Sequence, residues 1–128
     1  MTENNSPAKK ILIVEDDAPL LDSLRDKFES EGFIIVTATD GQAGIEAVKK
    51  ERPDLVLIDI LLPKLDGISM AKEISKLDLG TAMIFLTNLS DAEHISEAVA
   101  VGTVDYLVKS DWSINDVVDK VRKKLNLK

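Results

Sequence analysis

Short apolar runs separated by amphipathic stretches restrict this chain more than any other feature. Ile11-Leu12-Ile13-Val14, Phe33-Ile34-Ile35-Val36, Leu55-Val56-Leu57-Ile58 and Met83-Ile84-Phe85-Leu86 are continuous and apolar, and Val104-Asp105-Tyr106-Leu107-Val108 is a fifth, less pure run. Runs this short and this rich in β-branched residues predict strands buried on both faces. The stretches between them have helical spacing. Leu21, Leu24 and Phe28 share one face, Met70, Ile74 and Leu77 another, and Ile114, Val117, Val118, Val121 and Leu125 form the clearest stripe. Start and stop signals agree with these helices. Ser90 with Glu93 and Ser113 with Asp116 have capping-box spacing, Pro19 suits a first helical turn, and Gly32 and Gly102 stand where the first and fourth helices should stop. Alternating strands and helices predict parallel strands joined by right-handed crossovers, with helices on both faces, an α/β (βα)5 arrangement in three layers.

Composition narrows the chemistry. A chain of 128 residues suits one domain with a sizeable core. Its net charge of −7 argues against a nucleic-acid groove, and the absence of cysteine removes disulfides, thiolate chemistry and Cys-based metal sites. His94 is the only histidine, which excludes a His-rich metal centre; it is expected to face solvent on the fourth helix. No apolar stretch approaches the roughly 20 residues that span a bilayer. Residues 1–8 are polar, have no signal-peptide core and are read as a disordered N-terminal tail, leaving residues 9–128 as the folded domain of a soluble, cytoplasmic protein with no membrane partner.

The polar residues at the strand ends carry the functional reading. Asp59 closes the run Leu55–Ile58 and is followed by Pro63 and Asp66-Gly67, which predict a loop and a helix start. A carboxylate ending so apolar a run is rare unless it is paired, metal-bound or used. Glu15 and Asp16 end the first strand, Thr87 the fourth and Lys109 the fifth. In a parallel sheet all these ends point to one edge. With the flavodoxin-like order 2-1-3-4-5 the first and third strands are neighbours at the topological switch point, so Glu15, Asp16 and Asp59 face one another there. Three close carboxylates repel each other, and a hard divalent cation with oxygen ligands relieves that repulsion. Mg²⁺ is favoured because it accepts one or two carboxylates together with waters and phosphate oxygens. With the Lys109 ammonium and the Thr87 hydroxyl, the rim suits a phosphoryl group, and in-line attack by a carboxylate would give an aspartyl phosphate. Asp17 and Asp66 are expected to cap helices rather than bind metal. Trp112 is either a loop anchor or a partner contact.

These residues resemble the receiver domain of bacterial two-component response regulators, in its stand-alone form, over residues 9–127. The matching pieces are Ile11 to Asp17, Asp59 with Pro63 and Asp66-Gly67, Phe85-Leu86-Thr87, and Asp105 to Lys109, in order and at family spacing. The resemblance implies that Asp59 is the phosphoacceptor. Asp16 and Asp59 would bind Mg²⁺ through carboxylates and Leu61 through its carbonyl, while Glu15 would act mostly through water. Thr87 and Lys109 would contact the phosphoryl group, and Tyr106 would be an aromatic switch that turns inward on phosphorylation. It implies a signalling switch that catalyses its own phosphorylation and dephosphorylation rather than a turnover enzyme. Its phosphodonor would be a sensor histidine kinase or phosphotransfer protein. Its downstream protein partner would bind the face formed by the fourth helix, fifth strand and fifth helix. Two positions depart from the family pattern: Ser110 follows Lys109 where proline is usual, and Asn88 follows Thr87 where Ala or Gly is usual. A receiver-like binding module that no longer uses phosphorylation is the alternative. A haloacid-dehalogenase-type phosphatase would need a second Asp at position 61, which is Leu. Leu61 and Leu89 flank the path of the hydrolytic water in the family; both are apolar here, which implies a long-lived phosphoryl group.

Overall fold

The computed structural model describes residues 8–60, 62–87, 105–108 and 113–127. Five parallel strands, β1 (Lys10–Val14), β2 (Ile34–Ala38), β3 (Leu55–Asp59), β4 (Ala82–Thr87) and β5 (Asp105–Val108), form one sheet in the order β2-β1-β3-β4-β5. Helices α1 (Ala18–Ser30), α2 (Gly41–Glu51) and α3 (Gly67–Leu77) connect the first four strands, and a C-terminal helix (Ile114–Lys124) follows β5. The flavodoxin-like parallel order is the one expected. The fourth predicted helix, with Ser90, Glu93, His94 and Gly102, lies outside the described residues, as do residues 1–7 of the expected tail.

The period of two in the strands sorts the core into two halves. Leu12, Val14, Val56, Ile58, Met83 and Phe85 pack on one side with Ile45 and Val48 of α2 and Met70, Ala71 and Ile74 of α3. Ile11, Ile13, Leu55, Leu57, Ile84 and Leu86 pack on the other with Leu21, Leu24 and Phe28 of α1 and Val117, Val118 and Val121 of the C-terminal helix. Every residue of β3 is buried. Burying one such aliphatic or aromatic side chain stabilises the fold by about 1.5–3 kcal/mol, so these two layers fix which strand ends meet.

The helix ends follow local chemistry. Asp17 accepts the Leu20 N–H at 3.3 Å with Pro19 in the first turn, and Ser113 and Asp116 form a reciprocal capping box at 3.3 and 2.8 Å. The end of α1 is a complete Schellman motif. Gly32, at φ +94°, donates to the Glu29 carbonyl and Phe33 donates to the Phe28 carbonyl, each at 3.1 Å, while the Phe28 and Phe33 rings meet edge to face at 5.3 Å.

That motif explains one departure from expectation. The second strand was predicted to span Phe33–Val36 and to be buried on both faces. It begins instead at Ile34, because the Phe33 N–H belongs to the helix cap, and runs on to Ala38. It also lies at the sheet edge, so Ile34 is 49% exposed and only Ala38 is buried. Apolarity marked the strand correctly, but a central position and an edge position look alike in a short run.

Candidate functional site

The site is built where β1 and β3 end side by side. Val14 is in register with Ile58, which brings Glu15 and Asp16 level with Asp59. The Glu15 N–H continues the ladder to the Ala38 carbonyl at 3.1 Å, and a Glu15 carboxylate oxygen accepts the Asp17 N–H at 3.1 Å. Carboxylate oxygens of Glu15, Asp16 and Asp59 lie within 4.8 Å of one another. Glu15 is fully buried and Asp59 is 6% exposed, whereas Asp16 is open to solvent. Glu15 and Asp59 are the polar side chains that share the interior with the apolar core among the described residues. An all-oxygen donor set with one solvent-facing member fits a small hard cation that keeps some of its water.

The loop after Asp59 is tightly guided. The Ile60 N–H bonds to the Leu86 carbonyl at 3.2 Å, and the Gly67 N–H returns to the Ile60 carbonyl at 2.9 Å. At Gly67 there is no room for a side chain. A Cβ there would overlap the Asp59 carbonyl oxygen and stand 2.9 Å from the Ile60 Cα. Glycine at this position therefore lets the start of α3 press against the backbone of the residue that carries the buried carboxylate. Lys64 holds the intervening turn at φ +67°.

Asp66 caps α3 as expected, accepting the Ser69 N–H at 2.9 Å and the Ser69 hydroxyl at 3.0 Å. Partial burial raises its carboxyl, but the Ser69 bonds and backbone N–H groups of Ile68 and Asp66 outweigh burial and hold it below the ordinary 3.8. A carboxylate with a depressed folded pKa stabilises the protein above the unfolded value, and that contribution is lost as pH falls through the folded value. Asp66→Asn keeps a cap acceptor but cannot titrate, so its urea midpoint should fall less steeply than wild type below pH ~4. Parallel acid limbs for the two proteins would show that this carboxylate does not contribute.

The family model for the response regulator receiver domain matches residues 11–122. This chain belongs to the response regulator receiver family. It is 34% identical over 94% of its length to sporulation initiation phosphotransferase F of Bacillus subtilis, spanning 96% of that protein. It is 33% identical over 79% of its length to the alkaline phosphatase synthesis transcriptional regulatory protein PhoP of the same organism, and there it spans only 42% of the relative. A CheY-like receiver domain structure from Methanospirillum hungatei superimposes with a TM-score of 0.87 at 30% identity, covering 94% of this chain and 95% of that one.

As a receiver domain the protein is a phosphorylation-dependent switch of two-component signalling, a family whose members receive their signal from histidine kinases or phosphotransfer proteins and bind Mg²⁺ at an acidic cluster. Of the residues expected at the site, Glu15, Asp16 and Asp59 are brought together. Thr87 ends β4 and pairs with Val108, and Tyr106 lies in β5 opposite Phe85; their side chains lie outside the description. Leu61, Asn88, Leu89, Lys109, Ser110 and Trp112 lie outside the described residues. Sequence reasoning passed over Asp40 and Gly41, which cap and begin α2 beside this loop. An Asp directly before an amphipathic stretch is an N-cap signal that was there to be read. Among the described residues no helix is long and apolar enough to cross a membrane.

Proposed function

We propose that Asp59 is the phosphoacceptor, and that this chain is a receiver whose phosphorylated state is read by another protein. The observation that carries the reading is the convergence of Glu15, Asp16 and Asp59 at one sheet edge. An Asp59 carboxylate oxygen attacks the phosphorus of a phosphohistidine or of a small acyl phosphate. The new bond is an acyl O–P bond; the bond from phosphorus to the donor nitrogen or oxygen breaks, and its electron pair leaves with the donor. Asp16 and Asp59 would hold Mg²⁺ through their carboxylates and Leu61 through its carbonyl, while Glu15 would act mostly through water. When bound, the cation offsets the negative charge that gathers on the phosphoryl oxygens. Thr87 and Lys109 donate hydrogen bonds to those oxygens, and Tyr106 follows Thr87 inward.

The added charge, about −1.5 to −2 at neutral pH, then favours a second arrangement of the face that includes β5 and the C-terminal helix. Likeness to sporulation initiation phosphotransferase F over nearly its whole length supports a partner that is a protein in a phosphorelay. The net charge of −7 disfavours nucleic acid as that partner. The folded receiver domain occupies residues 9–128 of a cytoplasmic protein that modifies itself and turns over no separate substrate.

Incubation with Mg²⁺ and a small acyl phosphate, followed by intact mass measurement, should add one phosphoryl group, and chelation of Mg²⁺ should prevent it. Folded wild-type protein that gains no mass would overturn the reading in favour of a binding module that has abandoned phosphorylation. Because Leu61 and Leu89 are apolar and cannot orient a water by hydrogen bonding, the phosphoryl group on the purified protein should last for hours. A lifetime of seconds would remove that argument.

A further inference from the structure

The loop that follows Asp59 is braced from α2, which begins about twenty residues earlier in the chain. The Pro63 carbonyl accepts the Leu65 N–H at 2.7 Å and the Gly41 N–H at 3.5 Å. A Cβ on Gly41 would overlap the Leu65 carbonyl oxygen and stand 2.8 Å from its carbonyl carbon. Asp40 divides its carboxylate between two tasks: Oδ1 accepts the Ala43 N–H at 2.7 Å to cap α2, and Oδ2 lies 3.7 Å from the Lys64 ammonium. The other end of the loop closes on Asp59 through Gly67, whose Cα sits against the Asp59 carbonyl.

The principal contacts in this chain of support are backbone against backbone. Gly41 meets Leu65, and Gly67 meets Asp59 and Ile60. Backbone atoms have no rotamers with which to absorb a displacement, so a shift in the first turn of α2 reaches the Asp59 main chain. Nucleophilic attack is sensitive to such shifts, since misplacement by about 1 Å can cost about 10²-fold in rate. We infer that Gly41 and Lys64 are positioning residues for phosphoryl transfer at Asp59, acting through the contacts of Pro63, Leu65 and Gly67. The inference rests on the reading of Asp59 as the phosphoacceptor. Neither residue touches the carboxylates; each acts on where the Asp59 backbone lies.

Two variants separate positioning from stability because they act on the fold in different directions. Gly41→Ala forces a Cβ into the Leu65 carbonyl and should lower the melting temperature. Lys64→Gly places at φ +67° the residue that adopts it without strain, so the melting temperature should hold or rise, while the loop gains backbone freedom at that position and loses its link to Asp40. Both are compared with wild type in the rate of phosphorylation by a small acyl phosphate, per folded molecule, and in the dissociation constant for Mg²⁺. Gly41→Ala should slow phosphorylation by about 10-fold or more and Lys64→Gly by roughly 3- to 10-fold, each with weaker Mg²⁺ binding. Phe28→Leu, on the opposite side of the sheet, is the control that should lower stability and leave the rate unchanged. Wild-type rates and Mg²⁺ affinity in Lys64→Gly would overturn the inference, and that variant decides alone if Gly41→Ala fails to fold. Failure of the wild type to accept phosphate would instead strike the assignment of Asp59 itself.

Discussion

Asp59→Asn should accept no phosphoryl group under conditions that phosphorylate the wild type completely, and should remain folded. The amide matches the carboxylate in shape, so the buried position beside Glu15 and Asp16 is filled as before. What is lost is the anionic oxygen that attacks phosphorus, for which a neutral amide is no substitute. Removing one of three like charges within 4.8 Å also relieves repulsion. In the absence of Mg²⁺ the variant should therefore melt at or above the wild-type temperature, while Mg²⁺ raises its melting temperature less. Intact mass and thermal melts with and without Mg²⁺ read both effects. A phosphoryl adduct persisting on the variant would move the acceptor role to another carboxylate, with Asp16 the first to test.

Phe28→Ala carries the largest expected effect on stability. Phe28 is fully buried on α1, and its ring meets Phe33 edge to face at 5.3 Å with the planes at 75°. Arg122 lies 5.3 Å above the Phe33 ring and pairs with Glu31 at 2.8 Å, so Phe28 is the floor of a cluster that joins α1, the start of β2 and the C-terminal helix. Truncating a buried Phe to Ala costs about 3–5 kcal/mol, against a total stability of about 5–15 kcal/mol for a typical domain. The urea midpoint should drop sharply with little change in slope. A loss under about 1 kcal/mol would mean that Phe33 and its neighbours collapse into the space. The Glu31–Arg122 pair on top of this cluster is solvent-facing and should matter far less, although the Arg122 guanidinium and Lys27 hold the Glu31 carboxyl below its ordinary value.

Much of this molecule is legible from neighbouring residues. Asp17, Asp66 and Ser113 act on groups three residues away, so the helix starts they mark needed no knowledge of the rest of the chain. The continuous apolar runs of β1, β3 and β4 likewise announced strands buried on both faces, as the split of Leu12 from Ile13 and of Val56 from Leu57 between the two core halves bears out. The acids at the strand ends could be placed on one edge because parallel strands leave no other arrangement. Phe33 was misread because its apolar side chain fits a strand and a Schellman cap equally well; the choice depended on where its N–H went.

The amino-acid sequence by itself determined the order of the described strands and helices, the caps at Asp17, Asp66 and Ser113, and which acids stand at the mouth of the sheet. Those features depend on hydrogen bonds and periodicities that span a few residues. Only the tertiary structure decided that β2 lies at an edge with Ile34 half exposed, and that Glu15, Asp16 and Asp59 approach within 4.8 Å. It alone decided that Gly41 lies against the loop beyond Asp59. The reason is physical: contact between Gly41 and Leu65 depends on how α2 and α3 pack beside one another on the sheet. No local preference encodes that packing; the burial of both helices against the same layer of core residues does.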